Sequence, residues 1–231
     1  MLLAIDTATA TASLAIYNLE THHLLAELTW QAQRRQTQDL LLAARSLLTQ
    51  VGLTPSDLSA LAVTTGPGSF TGVRIGISAV KGMALGLPAP PRIIGIPTLN
   101  VTAAPWLTVA KALPAITLCA YMQAGRGRYN WAYLRSQDDP LRRLEAEDHQ
   151  NGTVHELVVD LQRRQDEMIW LVGEATPEVA EHTDALTQVV FLDEASSWRR
   201  AGHLARLAAR NLLYGIEDAL GDLQPIYLRQ P

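Results

Sequence analysis

Few residues in this chain are spaced for chemistry. The densest candidate is Gly66-Pro67-Gly68-Ser69-Phe70-Thr71-Gly72, between an apolar run and a helix-like segment. Amides in such a turn can point at an anion, and a helix N-terminus adds partial positive charge. A Walker A loop needs Gly-Lys-Ser or Gly-Lys-Thr, but the nearest lysine is Lys81. A dinucleotide fingerprint needs a third glycine where Thr71 stands. The competing reading is a tight strand-to-helix corner with Ser69 as the helix cap. His155-Glu156 opens like a zincin pair, yet Val159 stands where the second histidine is required. His22, His23, His149, His182 and His203 show no ligand spacing, so no metal site is assigned. Cys119 lies in an apolar run, where cysteine acts as a small hydrophobe. GPGSF is no GxSxG elbow, so Ser69 is no nucleophile. Arg199, Arg206 and Arg210, with His203, form a basic stripe. A solvated face is favoured over a nucleic-acid contact, because the net charge is −4 and no aromatics interleave.

The elements that would carry these residues follow from pattern. Leu2–Asp6, Thr11–Tyr17 and His23–Trp30 read as an antiparallel meander. A helix is predicted over Thr37–Val51, with Thr37 as cap and Leu40, Leu41, Ala44, Leu47, Leu48 and Val51 on one face. Leu61–Thr65 is a buried strand leading into the glycine turn, and a helix follows to about Gly86. That helix is unusual: Arg74, Ser78 and Lys81 form a narrow polar stripe on an otherwise small or apolar surface. It should be covered on two sides. Gly72 and Gly76 form a notch for a close-packed helix, either the neighbouring Thr37–Val51 helix or one from another protein. Leu42 falls where solvent is expected. A second half alternates strands and helices, with helices at Leu99–Ala112, Val154–Gln165 and Arg199–Tyr214 and a polar surface loop at Ser136–Asn151. The class is α/β: mixed sheets flanked by helices, in two lobes, 1–97 and 98–231, with the last helix free to pack back on the first. Length and composition agree with a folded chain: 231 residues, 48% hydrophobic, one cysteine. No apolar run reaches membrane-spanning length. The start MLLAIDTATA has no leader pattern, so a cytoplasmic location is expected.

LLAIDTATATASLAIYN, RRQTQDLL, TTGPGSFTGVRIGISAVKGMALGL, GIPTL and the closing PIYLR together resemble the TsaB (YeaZ-like) family. The resemblance is strong over residues 1–17, 34–52, 61–99 and 224–229. It implies an ASKHA fold, related to actin, Hsp70 and sugar kinases. It also implies a non-catalytic subunit of the machinery that makes N6-threonylcarbamoyladenosine at position 37 of tRNA. The implied partners are a TsaD-like catalytic paralogue and a TsaE-like ATPase, with tRNA met only through the complex and a homodimer formed when alone. Leu40, Leu41, Ala44, Leu47, Leu48, Gly72, Gly76, Ala79 and Met83 are the implied interface residues. Some of them must face the chain's own core. Asp6, Thr7, Gly66, Gly68 and Ser69 fall where phosphate loops sit in nucleotide-binding relatives, and weak ATP or ADP binding is left open. In this place Asp6 either holds a metal–nucleotide complex or caps its own turn. The paralogue's metal histidines, at i and i+4, correspond to a stretch Thr98–Ala103 that has none here, so no catalytic residue is assigned. Gln36 replaces a frequent histidine, and Gln123-Ala124-Gly125 replaces Asp-Ala-Arg. An ASKHA phosphotransferase using Asp6 is the enzyme alternative, and a metallopeptidase the weaker one.

Overall fold

Period-two alternation in the first strands decides which residues meet helices and on which face. β1 (Leu2–Asp6) pairs antiparallel with β2 (Thr11–Asn18), and β2 with β3 (His23–Gln31). β1 also lies parallel to β4 (Ala60–Thr64), which lies parallel to β5 (Arg92–Ile96). The order is β3-β2-β1-β4-β5. The computed structural model describes residues 1–32, 35–113, 116–139, 141–174 and 176–228. Arg34 and Arg229 of the family-like motifs, and the side chain of Gln36, lie outside the described residues. The chain divides into two units, Met1–Thr98 with Arg200–Ile226, and Leu99–Arg199 with Tyr227–Pro231.

In the first unit, α1 (Gln36–Gln50) and α2 (Phe70–Gly86) cover one sheet face. Leu3, Ile5, Leu14, Ile16, Leu61 and Val63 join Leu40, Leu47, Leu48, Val73, Ile77 and Val80 in a single core. The intervening Ala4, Ala15 and Ala62 turn to the opposite face, where α7 (Ala201–Leu213) packs. Small residues on both sides, including Ala205 and Ala208, let that helix approach closely. Ser13 and Glu27 fix its start: the Ala201 amide donates to Ser13 Oγ at 2.9 Å and the Gly202 amide to Glu27 Oε1 at 2.6 Å. α1 starts one residue before the expected Thr37. The Gln38 and Asp39 amides both close onto the Arg35 carbonyl, so Thr37 sits inside the first turn and caps nothing.

The second unit repeats this plan. β6 (Ile116–Gly125), β7 (Arg128–Arg135) and β8 (Gln150–Thr153) form the meander, and β9 (Met168–Gly173) and β10 (Val189–Phe191) continue parallel to β6, giving β10-β9-β6-β7-β8. Leu118, Ala120 and Met122 of β6 face α3 (Thr98–Ala110). Cys119 and Tyr121 face α4 (Val154–Gln162) and α5 (Pro177–Thr183). A four-residue α6 (Glu194–Ser197) precedes α7. The expected polar loop over Ser136–Asn151 ends early, because Gln150 and Asn151 pair with Trp131 and Asn130 as part of β8. Both sheets read 3-2-1-4-5 along their own strands, so each unit has the expected mixed α/β sheet flanked by helices.

His203 on α7 gives the first unit a pH-dependent weakness. Loss of water, with Arg200 and Arg206 beside it, holds its imidazole down at about 4. The neutral ring is therefore the folded form, and the unfolded chain binds the extra proton first. Stability is full above the ordinary value of 6.5 and is lost as pH falls from there towards 4. Solvent reaches part of the ring, so the loss is about 1–2 kcal/mol. Denaturant titrations across this range should show that slope in the parent and a flatter one in His203→Gln.

Candidate functional site

The glycine turn and the end of β1 are brought together. Gly66 has φ +102°, a left-handed backbone that favours glycine, and a side chain there would meet the Ile226 carbonyl at 3.3 Å. Gly68 lies against the β1–β2 turn: an added Cβ would stand 3.0 Å from Ala8 Cβ and closer still to the Ala8 carbonyl oxygen. The Ser69 amide donates to that carbonyl at 2.6 Å. Ser69 Oγ accepts from the Gly72 amide at 3.2 Å, which is the N-cap of α2. Asp6 is 1% exposed, and its Oδ1 accepts from the Ala8 amide at 2.9 Å and from Thr64 Oγ1 at 3.0 Å. Thr7 Oγ1 donates to the Gly72 carbonyl at 2.7 Å. Asp6, Thr7 and Ser69 are thus tied to the neighbouring Ala8, Thr64 and Gly72 in one corner. An anion at the Ser69 amide would have to displace the Ala8 carbonyl.

The interface residues divide into two sets. Leu40, Ala44, Leu47, Leu48, Gly72 and Gly76 are buried within the first unit. A Cβ on Gly76 would stand 2.6 Å from Thr7 Oγ1 and 3.1 Å from Val63 Cγ2. The notch therefore receives the chain's own strands, and neither proposed helix occupies it. These six are a correction: they belong mainly to the chain's own core, although Leu40 lines the first of the grooves described below and Ala44 and Leu48 line the second. Leu41, Ala79 and Met83 remain outward.

Around those three, α1 and α2 present an apolar face. Leu41 is 53% exposed and Phe70 60%, and Ile75, Ala79 and Met83 are half-buried. Two grooves cross the face. One, of about 510 Å³, runs between Thr37 and Leu41 on α1 and Phe70, Arg74 and Ser78 on α2. The other, of about 480 Å³, lies among Leu41, Arg45, Leu53, Met83 and Leu87. Leu41 lines both. The Arg74 guanidinium lies 3.8 Å over the Phe70 ring. Phe70 and Ile75 were missed in the sequence, although stepping the Ser78–Arg74 stripe back four residues reaches Phe70. Leu42 is exposed as well, but lines neither groove.

Other candidates are held in structural roles. Asn100, in the stretch compared with the metal histidines, donates to the Arg142 carbonyl and accepts from the Leu144 amide, both at 2.9 Å. Cys119 is fully buried, and desolvation pushes its thiol well above the usual range. His149 is buried, with Nδ1 2.7 Å from the Glu145 carbonyl, and burial lowers its pKa. Among the described residues, no three His, Cys, Asp or Glu side chains are grouped to hold a metal ion, and no helix is long and apolar enough to cross a membrane. The arginine stripe is broken: Arg199 is buried and 3.8 Å from Glu174, while Arg206 and Arg210 are exposed.

The profile of the family described as TsaD, tRNA N6-adenosine threonylcarbamoyltransferase, matches residues 30–158, more than half of the chain. The chain belongs to this family. Its similarity to relatives named TsaB extends over more residues than that to the tRNA N6-adenosine threonylcarbamoyltransferase of Jannaschia sp., which is 40% identical over 88 residues. The chain is 40% identical over 139 residues to the tRNA threonylcarbamoyladenosine biosynthesis protein TsaB of Escherichia coli, covering 59% of this chain and 56% of that protein. It is 36% identical over 103 residues to Bacillus subtilis TsaB, covering 45% and 43%. The chain spans about half the length of the curated relatives it matches. The solved structure of YeaZ from Pseudomonas aeruginosa superposes with a TM-score of 0.74 at 25% identity, over 98% of this chain and 99% of that one. A second P. aeruginosa structure, of an uncharacterised protein with similarity to peptidase YeaZ, gives a TM-score of 0.77 at 25% identity over 99% of both chains.

Proposed function

We propose that this chain is a non-catalytic subunit for transfer of threonylcarbamoyl to N6 of adenosine 37, in tRNAs reading codons that begin with A. It acts in the cytoplasm by binding a TsaD-like catalytic paralogue. A TsaE-like ATPase joins the assembled complex, tRNA is met only there, and the chain alone pairs with itself through the same face. The observation that carries this reading is the outward Leu41–Phe70–Met83 face on α1 and α2. Exposed apolar surface crossed by grooves is costly for a solitary molecule and suits a partner. The structural hydrogen bonds of Asp6 Oδ1 and of Asn100 support a role without chemistry.

Leu41→Asp is the direct test. Leu41 is half exposed, so its loss should shift the melting temperature by only a few degrees. Affinity for the paralogue from the same organism should fall at least about tenfold, since a carboxylate would be buried where both grooves meet. Cells carrying only this variant should lose the position-37 modification by nucleoside mass spectrometry. Unchanged affinity together with unchanged modification would remove this surface from the function.

A further inference from the structure

The first sheet has two edges, and the chain treats them differently. Its own residues lie against β5, where the Asp218 amide donates to the Ile93 carbonyl and the Asp218 carboxylate accepts from the Gly95 amide. β3, the other edge, is nine residues long against five for β5. The Ala32 amide donates to the Ala10 carbonyl at 2.9 Å. Bonded pairs alternate along an antiparallel ladder, so Trp30, Leu28 and Ala26 turn their backbone groups to β2. Those of Glu27, Thr29 and Gln31 point away from it, and among the described residues no strand pairs with them. Leu24, Leu25 and Leu28 on this strand are exposed. A long edge bearing exposed leucines is a template for another strand. Leu25 interrupts it: Ile16 pairs with Ala26 and Tyr17 with Leu24, so Leu25 is bulged out. Residues 26–32 beyond the bulge keep a regular register.

We propose that β3 pairs antiparallel with β3 of a second copy of this chain, about a two-fold axis at Thr29, joining the two first-unit sheets into one. Self-complementarity selects both the occupant and the register. An axis at Glu27 would set two like charges directly opposite, which is destabilising. An axis at Leu28 pairs only residues 26–30 before one strand meets the bulge, and an axis at Trp30 pairs only 28–32. The axis at Thr29 uses all of 26–32. It sets Thr29 against Thr29, Glu27 against Gln31 and Leu28 against Trp30, pairs that are each favourable across strands. Glu27 brings no unmatched charge, since it already accepts from the Gly202 amide at 2.6 Å and lies 3.7 Å from Arg200. Trp30 and Ala26 pack on the core of their own unit, so Leu28 of the second copy would extend that core. The contact leaves the α1–α2 face free and goes beyond the docking reading.

The test uses the full chain carrying Leu41→Asp, which removes self-contact through α1 and α2, followed by sedimentation velocity over rising concentration. This variant should still form a dimer. Adding Thr29→Pro should make it monomeric, because the Thr29 amide points outward and proline there blocks the new ladder without breaking the old one. Proline also gives up the Thr29 Oγ1 contact with Ser13 Oγ at 2.7 Å, so Leu28→Lys, which keeps that contact, is the second variant. It should weaken the dimer at least about tenfold. Cysteine cross-linking with oxidised glutathione reads the register, and the chain's own Cys119 is buried away from it. Thr29→Cys should form a disulfide-linked dimer, since the axis holds the two Cα atoms about 5.5 Å apart. Leu28→Cys should not, since its mate sits diagonally at about 7–8 Å. Three results overturn the proposal: a Leu41→Asp chain monomeric at every concentration, a dimer indifferent to both Thr29→Pro and Leu28→Lys, or cross-linking at Leu28 in place of Thr29. The docking reading fails separately, through unchanged affinity of Leu41→Asp for the paralogue, whatever the β3 edge does.

Discussion

Gly68→Ala should destabilise the first unit by about 3 kcal/mol and lower its melting temperature by roughly 10 °C. The methyl group has no room, since the Ala8 carbonyl and Cβ already occupy that side. Both are parts of the β1–β2 turn, which is tied by the Asp6–Ala8 bond at 2.9 Å. Relief would pull the Ser69 amide off the Ala8 carbonyl and tilt the start of α2 with its N-cap. Gly82 is the control. It lies in the same helix with nothing within 4 Å of an added Cβ, so Gly82→Ala should stabilise by about 1 kcal/mol through helix propensity alone. Calorimetric melts of the two variants should move in opposite directions. Equal melting temperatures for Gly68→Ala and the parent would mean that the corner is not close-packed.

That contrast shows what the sequence could tell. GPGSFTG reads correctly as a strand-to-helix corner with Ser69 as cap, because each residue has a local reason for its place. Which apolar side of α1 and α2 faces the sheet is a tertiary matter. Leu40 and Leu41 are neighbours of the same type, yet one is buried and the other half exposed, and no periodicity separates a helix's core side from a docking side. The Gly72–Gly76 notch misled for the same reason: i,i+4 glycines announce a close approach, not what approaches. β8 was missed because Gln150-Asn151-Gly152-Thr153 has no apolar alternation. Pairing with β7 makes it a strand. The repeated strand order of the two units is likewise carried by hydrogen bonding, with little trace in residue identity.

The Asp6 corner shows how a loop resembling a nucleotide site is also tied into the fold. Asp6 Oδ1 accepts from the Ala8 amide and the Thr64 hydroxyl, which helps to compensate for burying a charge-bearing group. Its neighbours Thr7 and Ser69 bind α2. The result is a rigid seat for the helix that carries Phe70 and Arg74. Rigid seating reduces the entropy that docking must overcome, so the corner contributes to the proposed interface without touching a partner.

The segment after α7 should prove as necessary as the corner, and deletion of residues 216–231 is expected to unfold or aggregate the first unit. β5 is an edge strand, and an uncovered edge is a template for pairing with other chains. Residues 217–226 cover it. The Asp218 amide donates to the Ile93 carbonyl at 2.8 Å, the Gly95 amide to Asp218 Oδ2 at 2.7 Å, and the Arg92 side chain reaches Glu217 at 2.6 Å. Leu223 enters the core of the first unit, with its Cδ1 2.9 Å from where a Gly95 side chain would begin. The Ile226 amide then donates to the Thr65 carbonyl at 2.7 Å, immediately before Gly66. Through Ile226, the PIYLR motif is joined to the strand end that leads into the glycine corner. Losing Leu223 and these bonds should cost at least about 4 kcal/mol, a large share of the roughly 5–15 kcal/mol that holds a domain together. Asp218→Ala isolates the edge cover and should cost about 1–2 kcal/mol by removing the carboxylate's bond to the Gly95 amide. Denaturant unfolding and size-exclusion profiles would read both. A truncated chain that keeps the parent's oligomeric state and melts with the parent would show that β5 needs no cover and that the corner stands without its tie.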